Sequence, residues 1–465
     1  MTKSFLFLLL FLAAHATAQD ITGKWFGTLE VPAAPMPFNL TVTAHDQGYS
    51  ATIDSPEQQV YGLAAREFSF VKDSVKFYVP QGGIRYKGSL TPQGELNGVF
   101  IQGDFTLPLK FKREAKPSTT LLRPQEPQKP YPYLSQDITF FNQKDSVNLA
   151  GTLTLPSKTK KAPAVILISG SGPQDRNESL MGHKPFLVLS DYLTRQGIAV
   201  LRFDDRGTAA STGNFASAGL AEFTSDVQAA LAYLKGRREI DPAKIGLLGH
   251  SEGGLVAPRV AAEKKSGVAF VILMAAPGLP GDELLLQQAY DVGRASGMTA
   301  QELSRAADIN KEIYRLVRQE KNTQLLNQKL TAYLKEVIPA MYKEEKITDR
   351  ELETFIAKTI REVNSPTITE ALRSDPAENI ARLQCPVLAL NGSKDIQVAA
   401  LPNLTAIEDA LKKGKNTHYE VKNYEGLNHL FQQCQSGTIE EYKQIEQTMD
   451  PKVLRDISLW IQRHT

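Results

Sequence analysis

At Lys116 the spacing of apolar residues changes, and that change divides the chain into two folding units. Up to about Arg113 apolar and polar residues alternate. In "PFNLTVTA" Phe38, Leu40, Val42 and Ala44 are interleaved with Asn39, Thr41 and Thr43, and "SVKFYVP" repeats this with Val75, Phe77 and Val79. A period of two sends alternate side chains to opposite faces of a strand, so one face is buried and the other meets water. The turn signals "PQGG", "TPQGE" and "IQGD" separate the runs. Residues 19–115 are therefore expected to form a small all-β domain, a barrel or a sandwich.

The stretch "KPSTTLLRPQEPQKPYP", residues 116–132, is expected to be a linker, because its prolines cannot donate ladder hydrogen bonds and favour extended backbone. Beyond it the pattern alternates strand and helix. Ala164 to Ile168 is an unbroken aliphatic run, as in a strand buried on both faces of a parallel sheet. Leu220, Phe223, Val227, Leu231 and Leu234 share one face of a helix. Residues 133–465 are thus expected to be an α/β domain with a mostly parallel, doubly wound sheet. One section, about 284–372, is helical throughout, with capping-box candidates Thr299/Glu302 and Thr348/Glu351. An all-helical insertion between two strands is most simply a cap over the carboxyl edge of the sheet.

Composition narrows the partners. A formal net charge of +2 without a long basic run gives no support to nucleic acid or a polybasic membrane contact. At the start, Lys3 precedes the apolar run Phe5 to Ala14 and the small-residue pattern Ala16-Thr17-Ala18, which reads as a signal peptide over residues 1–18. That run is shorter than the roughly 20 residues of a spanning helix. The expectation is an exported, periplasmic or secreted protein with no stable membrane insertion. Its two cysteines, Cys385 and Cys434, are read as unpaired thiols, since they fall at opposite edges of the expected sheet, beyond the reach of a bridge.

The chemistry centres on "LLGHSEGG", which contains Gly-x-Ser-x-Gly around Ser251. "KIGLLGH" reads as a strand and "GGLVAPRVAAEKK" as a helix, so the serine falls on the strand-to-helix turn where such a pattern projects a nucleophile above a sheet. A serine hydroxyl needs a base. The seven histidines are His15, His45, His183, His250, His418, His429 and His464; His15 leaves with the leader, His45 lies in the β-domain, His250 is directed away from its neighbour Ser251, His418 is inside a strand and His464 is terminal. His429, in "YEGLNHLF" just after the last strand, is the candidate base. Asp395, in "LALNGSKDIQV", follows a buried strand and completes the chain order Ser, Asp, His. The expected oxyanion donors are the backbone N–H groups of Glu252 and, from the loop "GSGPQDRNE", of Ser171.

These pieces carry a resemblance. "SGSGPQDRN", "RFDDRGTAASTGNF", "GHSEGG", "NGSKD" and "GLNHLFQ" make the chain from about Tyr133 to Thr465 similar to bacterial carboxylesterases of the serine-aminopeptidase-like group, with an α/β-hydrolase fold. The resemblance implies that Asp204, Asp205 and Arg206 support the site as structural ion pairs. Ser169-Gly170 stands where many relatives carry His-Gly. The β-domain lies outside this likeness, although its opening "GKWFG" resembles the first strand of lipocalin-like barrels; Trp25 is read as a core residue.

The expectation is a serine hydrolase that cleaves small carboxylic esters through an acyl-enzyme, with no metal or organic cofactor. A peptidase or amidase using the same three residues, and a non-catalytic binding protein on a hydrolase scaffold, are the alternatives. Oligomeric state is left open.

Overall fold

The computed structural model describes residues 20–30, 36–46, 48–55, 60–103, 105–113, 123–157, 161–341 and 347–465. The leader expected over residues 1–18 lies outside the described residues. The chain divides into two compact units, Met1–Thr119 and Thr120–Thr465.

In the first unit eight strands, from β1 (Gly23–Leu29) to β8 (Phe105–Lys112), pair antiparallel in chain order, and β8 pairs back onto β1. Of the two β architectures, the chain adopts the closed barrel, which leaves no open sheet edge. The alternation fills its interior: Trp25, Phe38, Leu40, Val42, Val75, Phe77 and Val79 are all buried. The Tyr86 ring lies between Phe77, stacked at 5.1 Å, and Phe111, edge-on at 5.3 Å. Gly98 is needed beneath that ring, because a Cβ there would sit 2.5 Å from it. Trp25 donates its indole N–H to the Ile21 carbonyl at 2.8 Å, and the Arg113 guanidinium covers its ring at 3.9 Å.

The stretch expected to be linker is divided. Residues 114–122 lie outside the described residues. From Arg123 onward the chain is tied to the second unit. Arg123 donates to the carbonyls of Gly182 and Met181, and Gln125 donates to Met449 O and accepts from the N–H groups of Thr448 and Met449.

The second unit is built on an eight-stranded sheet. Its strands are β9 (Leu134–Asn142), β10 (Val147–Leu155), β11 (Ala162–Ile168), β12 (Ala199–Phe203), β13 (Ile240–His250), β14 (Val271–Met274), β15 (Val387–Gly392) and β16 (Tyr419–Tyr424). They lie in the order β16-β15-β14-β13-β11-β12-β10-β9. The six from β16 to β12 pair parallel, and β10 and β9 pair antiparallel. The aliphatic run of β11 supplies both faces: Ala164, Ile166 and Ile168 pack in one core layer, Val165 and Leu167 in the other. Helix α1 (Pro185–Arg195) covers the second layer, and α2 (Leu220–Lys235) and α3 (Gly253–Ala261) cover the first. On α2, Leu220, Val227, Leu231 and Leu234 are buried and Phe223 is half-buried.

Between β14 and β15 lie α4 (Gly281–Ala295), α5 (Ala300–Gln319), α6 (Thr323–Val337), α7 (Asp349–Val363) and α8 (Pro366–Arg373), followed by the short α9 (Pro376–Ile380). The helical insertion has its own core, including Ile313, Val317, Leu330, Leu334 and Leu372. Thr299 and Thr348 each accept from the N–H of the glutamate three residues on, and that glutamate bonds back. Two N-terminal donors are thereby satisfied at each helix start. Cys385 and Cys434 are both free thiols and half-buried.

Candidate active site

Strand β13 ends at His250 and α3 begins at Gly253, so Ser251 sits in the turn between them. Its φ of +52° is in the left-handed region, which a residue with a Cβ occupies only when its surroundings compel it. The compulsion is visible. Ser251 N–H donates to Met274 O at 2.9 Å, and Ser251 O accepts from Gly254 N–H at 2.8 Å. A Cβ on Gly249 would lie 2.2 Å from Gly253 O, and one on Gly253 would lie 2.3 Å from Ile168 O. Both glycines of the pattern are therefore close-approach residues: Gly249 lets the start of α3 fold back on the strand end, and Gly253 lets the turn lie against the end of β11.

Asp395 and His429 come from the loops after β15 and β16. Those loops are laced together by Lys394 N–H to Leu427 O at 2.9 Å, Ser393 N–H to Tyr424 O at 2.8 Å, and Gly426 N–H to the Ser393 hydroxyl at 2.9 Å. The lacing brings His429 Nδ1 to 2.7 Å from Asp395 Oδ2. The other oxygen of Asp395 accepts from the N–H groups of Gln397 and Val398 at 2.8 and 2.9 Å, which fixes the carboxylate plane. The Asn428 side chain shapes the turn that carries His429, with its Oδ1 accepting from the Leu430 and Gln432 N–H groups. All four of Asp395, Asn428, His429 and Gln432 are buried. The His429 ring lies 4.8 Å from the His250 ring, and His429 O is 3.1 Å from His250 Nε2, so the His429 loop rests against the residue that precedes Ser251.

The loop after β11 passes over Ser251, and a Cβ on Gly170 would be 3.2 Å from the Ser251 Cβ. The Gly170 N–H is occupied, donating to Glu178 Oε1 at 2.8 Å. Among the described residues, neither the Glu252 N–H nor the Ser171 N–H meets a protein acceptor. They are the two groups expected as oxyanion donors.

The "FDDRG" segment differs in one respect from what the resemblance implied. Asp204 pairs with Arg176 at 2.7 Å, and Arg206 pairs with Asp226 and Asp145, each at 2.7 Å. Among the described residues, Asp205 is in no ion pair. Its Oδ1 accepts from the Ser169 hydroxyl at 2.8 Å and its Oδ2 from Gln174 N–H at 2.9 Å, at two points of the loop after β11. Burial, with the nearby charges of Glu252 and Glu178, holds its carboxyl well above the usual carboxylate range against the opposing hydrogen bonds from Gln174 and Ser169. The Glu252 carboxyl shares a cavity with Asp205, Ser169 and Gly170, and burial together with the Glu370 carboxylate pushes it up to about 7.

Two residues at the site carried no signal of their own in the sequence. Glu178, buried with φ +54°, holds both the Gly170 N–H and His250 Nδ1. His250, set aside as pointing away from Ser251, does so, and is the side chain that meets Glu178 and the His429 loop. The one available hint was an acid in the glycine-rich loop "GSGPQDRNE".

Residues 185–433, more than half of the chain, match the family described as serine aminopeptidase, S33, and that span contains Ser251, Asp395 and His429. A 150-residue stretch is 32% identical to Esterase EstD of Thermotoga maritima, covering 32% of this chain and 35% of that relative. The chain thus spans about a third (35%) of the length of EstD. An uncharacterised 31.7 kDa protein of Escherichia coli is 26% identical over 288 residues, which cover 60% of this chain and 88% of that one. Among solved structures, the Pyrococcus furiosus esterase Pf2001 covers 75% of this chain and 99% of its own length at 15% identity, with a TM-score of 0.41. Est1E of Butyrivibrio proteoclasticus, solved with ferulic acid bound, covers 70% and 99% at 15% identity, with a TM-score of 0.40. The chain belongs to the serine aminopeptidase (S33) family, its second unit an α/β-hydrolase fold with a helical insertion and its first a closed β-barrel.

Proposed function

We propose that the protein is an exported serine hydrolase that cleaves small carboxylic esters. The observation that carries this reading is the 2.7 Å contact of Asp395 Oδ2 with His429 Nδ1, on a loop bonded to the residue beside Ser251. Asp395 fixes the tautomer in which Nδ1 bears hydrogen, which leaves Nε2 free to act as a base. Ser251 Oγ attacks the ester carbonyl as His429 takes its proton, and the oxyanion is held by the N–H groups of Glu252 and Ser171. The proton passes from His429 to the leaving alcohol, and an acyl-Ser251 ester remains. Water then attacks that ester with His429 again as base; the acid leaves and Ser251 regains its hydrogen. No step draws on a metal or an organic cofactor.

The EstD match supports an ester rather than an amide as substrate. The family description, an aminopeptidase, favours the second reading: amide cleavage by the same residues. Purified protein is given p-nitrophenyl esters, aminoacyl anilides and a fluorophosphonate probe, beside Ser251→Ala. Ester turnover and probe labelling that both vanish in the variant are expected, with a loss of about 10⁴-fold or more. Anilide turnover with inert esters would sink the ester reading, and labelling that survives in Ser251→Ala would sink the nucleophile. Export rests on the pattern of Lys3, the apolar run and Ala16-Thr17-Ala18. The exported protein is expected to begin at Gln19 when its N-terminus is sequenced, and a cytoplasmic, uncut chain would refute export.

A further inference from the structure

His250 precedes Ser251 and is buried. Both of its ring nitrogens face oxygen. Nδ1 is 2.8 Å from Glu178 Oε1, and Nε2 is 3.1 Å from the backbone carbonyl of His429. A carbonyl oxygen only accepts, so Nε2 must carry a hydrogen. Glu178 Oε1 also accepts from the Gly170 N–H at 2.8 Å; where Glu178 is a carboxylate its oxygen can only accept, and Nδ1 then carries a hydrogen as well. An imidazole with two N–H groups is a cation, so the pair would be a buried imidazolium–carboxylate rather than a neutral imidazole bonded to a protonated acid.

We propose, on the reading that Ser251 and His429 are the reacting pair, that His250 is a positioning residue. It is a buried imidazolium that braces the oxyanion loop through Glu178 and Gly170 on one side and the His429 loop through its carbonyl on the other.

The arrangement joins three segments that are far apart in the chain. Glu178 belongs to the loop after β11, His250 ends β13, and His429 follows β16. The two loops that bracket Ser251 are thereby referred to one rigid point, the last residue of a central strand. Among the described residues, three titratable groups face the imidazolium: Glu178 in direct contact, the His429 ring at 4.8 Å, and Asp395 beyond it. Burial alone would lower the affinity of His250 for its second proton; Glu178, by charge and hydrogen bond, reverses the sign and raises it. Removing either partner leaves the other without its counter-charge in a dry site, so neither substitution is a local change.

The test reads protonation and catalysis separately. Protein labelled with ¹⁵N-histidine is examined by long-range ¹⁵N–¹H correlation, and the His250 signals are those that vanish in His250→Gln. Both ring nitrogens are expected to carry hydrogen from about pH 6 to pH 8. One unprotonated nitrogen at neutral pH overturns the proposal. His250→Gln and Glu178→Gln are each expected to lower kcat about 10- to 100-fold with KM changed less than about threefold, because a loop displaced by about an ångström loses rate rather than binding. The double variant should lose little more than the worse single one. Wild-type kcat in a folded His250→Gln overturns the proposal too. Should that variant not fold, the His250 signals are taken as those of the ring that changes between parent and Glu178→Gln: one nitrogen loses its hydrogen if the carboxylate holds the charge, and a spectrum unchanged in Glu178→Gln overturns the proposal. Activity that survives in Ser251→Ala would remove the catalytic reading and leave the spectrum untouched, so the two failures are distinguishable.

Discussion

The barrel and the α/β unit bury different kinds of residue. Among the described residues of the barrel, the interior is apolar apart from a few polar groups such as Ser55, the Tyr86 hydroxyl and the Trp25 indole N–H. In the second unit the apolar layers of the sheet give way, at the carboxyl ends of its strands, to buried Glu178, Asp204, Arg206, Asp226, His250, Asp395 and His429. Buried charge is costly and is kept only where partners are in place. One core is apolar throughout most of its volume, and the other gives up apolar contact at one edge to hold paired polar and charged groups in fixed positions.

That contrast can be broken, and the sharpest attempt is at Asp395. Asp395→Asn keeps the size and most of the hydrogen bonding but presents the wrong partner to His429 Nδ1. The expected result is a fall in kcat of about 10³- to 10⁴-fold with thermal unfolding little changed. A loss under tenfold would mean that His429 does not depend on this carboxylate. The barrel should respond the opposite way. Trp25→Ala is expected to destabilise the barrel by about 3–5 kcal/mol in denaturant unfolding, with ester turnover per folded molecule unchanged. A large loss of turnover would show that the barrel takes part in the reaction.

Between these extremes lies Gly253, which is both packing and site. Gly253→Ala puts a methyl against Ile168 O and is expected to cost about 1–3 kcal/mol in stability, with a fall in kcat because the turn moves off β11. An unchanged melting temperature would show that the turn is looser than its contacts imply. The smallest effect concerns Glu252, whose carboxyl is raised from an ordinary 4.5 to about 7. A raised folded-state pKa favours the protonated group in the native protein. Its contribution to stability is full below about 4.5 and is lost as pH rises through about 7. Glu252→Gln removes that dependence, so the variant should gain on the parent by about 1–3 kcal/mol between those limits. A constant difference in melting temperature across that range would refute the burial of this carboxyl.

Legibility in the sequence followed the physics of each feature. Ser251 stood out because close approach of backbone demands glycine at 249 and 253, and glycine at fixed spacing is a local pattern. The capping boxes at Thr299 and Thr348 were readable for the same reason, each completed within three residues. Asp395 and His429 were nameable from chain order and from their places after strands. Asp205 was misjudged as part of an ion pair because adjacent charges in "FDDRG" look alike, and only the fold decides that Arg206 turns to Asp226 while Asp205 turns to Ser169. Glu178 gave only the hint of an acid in a glycine-rich loop, since its partner His250 lies 72 residues away and nothing periodic links them.

The sequence by itself determined the two units, the strand and helix alternation, and which residue types stand at strand ends, because periodicity and turn chemistry act over a few residues. Whether the first unit closes into a barrel was decided by pairing between its first and last strands, 26–27 with 111–112, which no local pattern encodes. The same holds for the protonation of His250. A charge state depends on which oxygens surround a side chain, and that is a property of three distant segments brought together by the sheet.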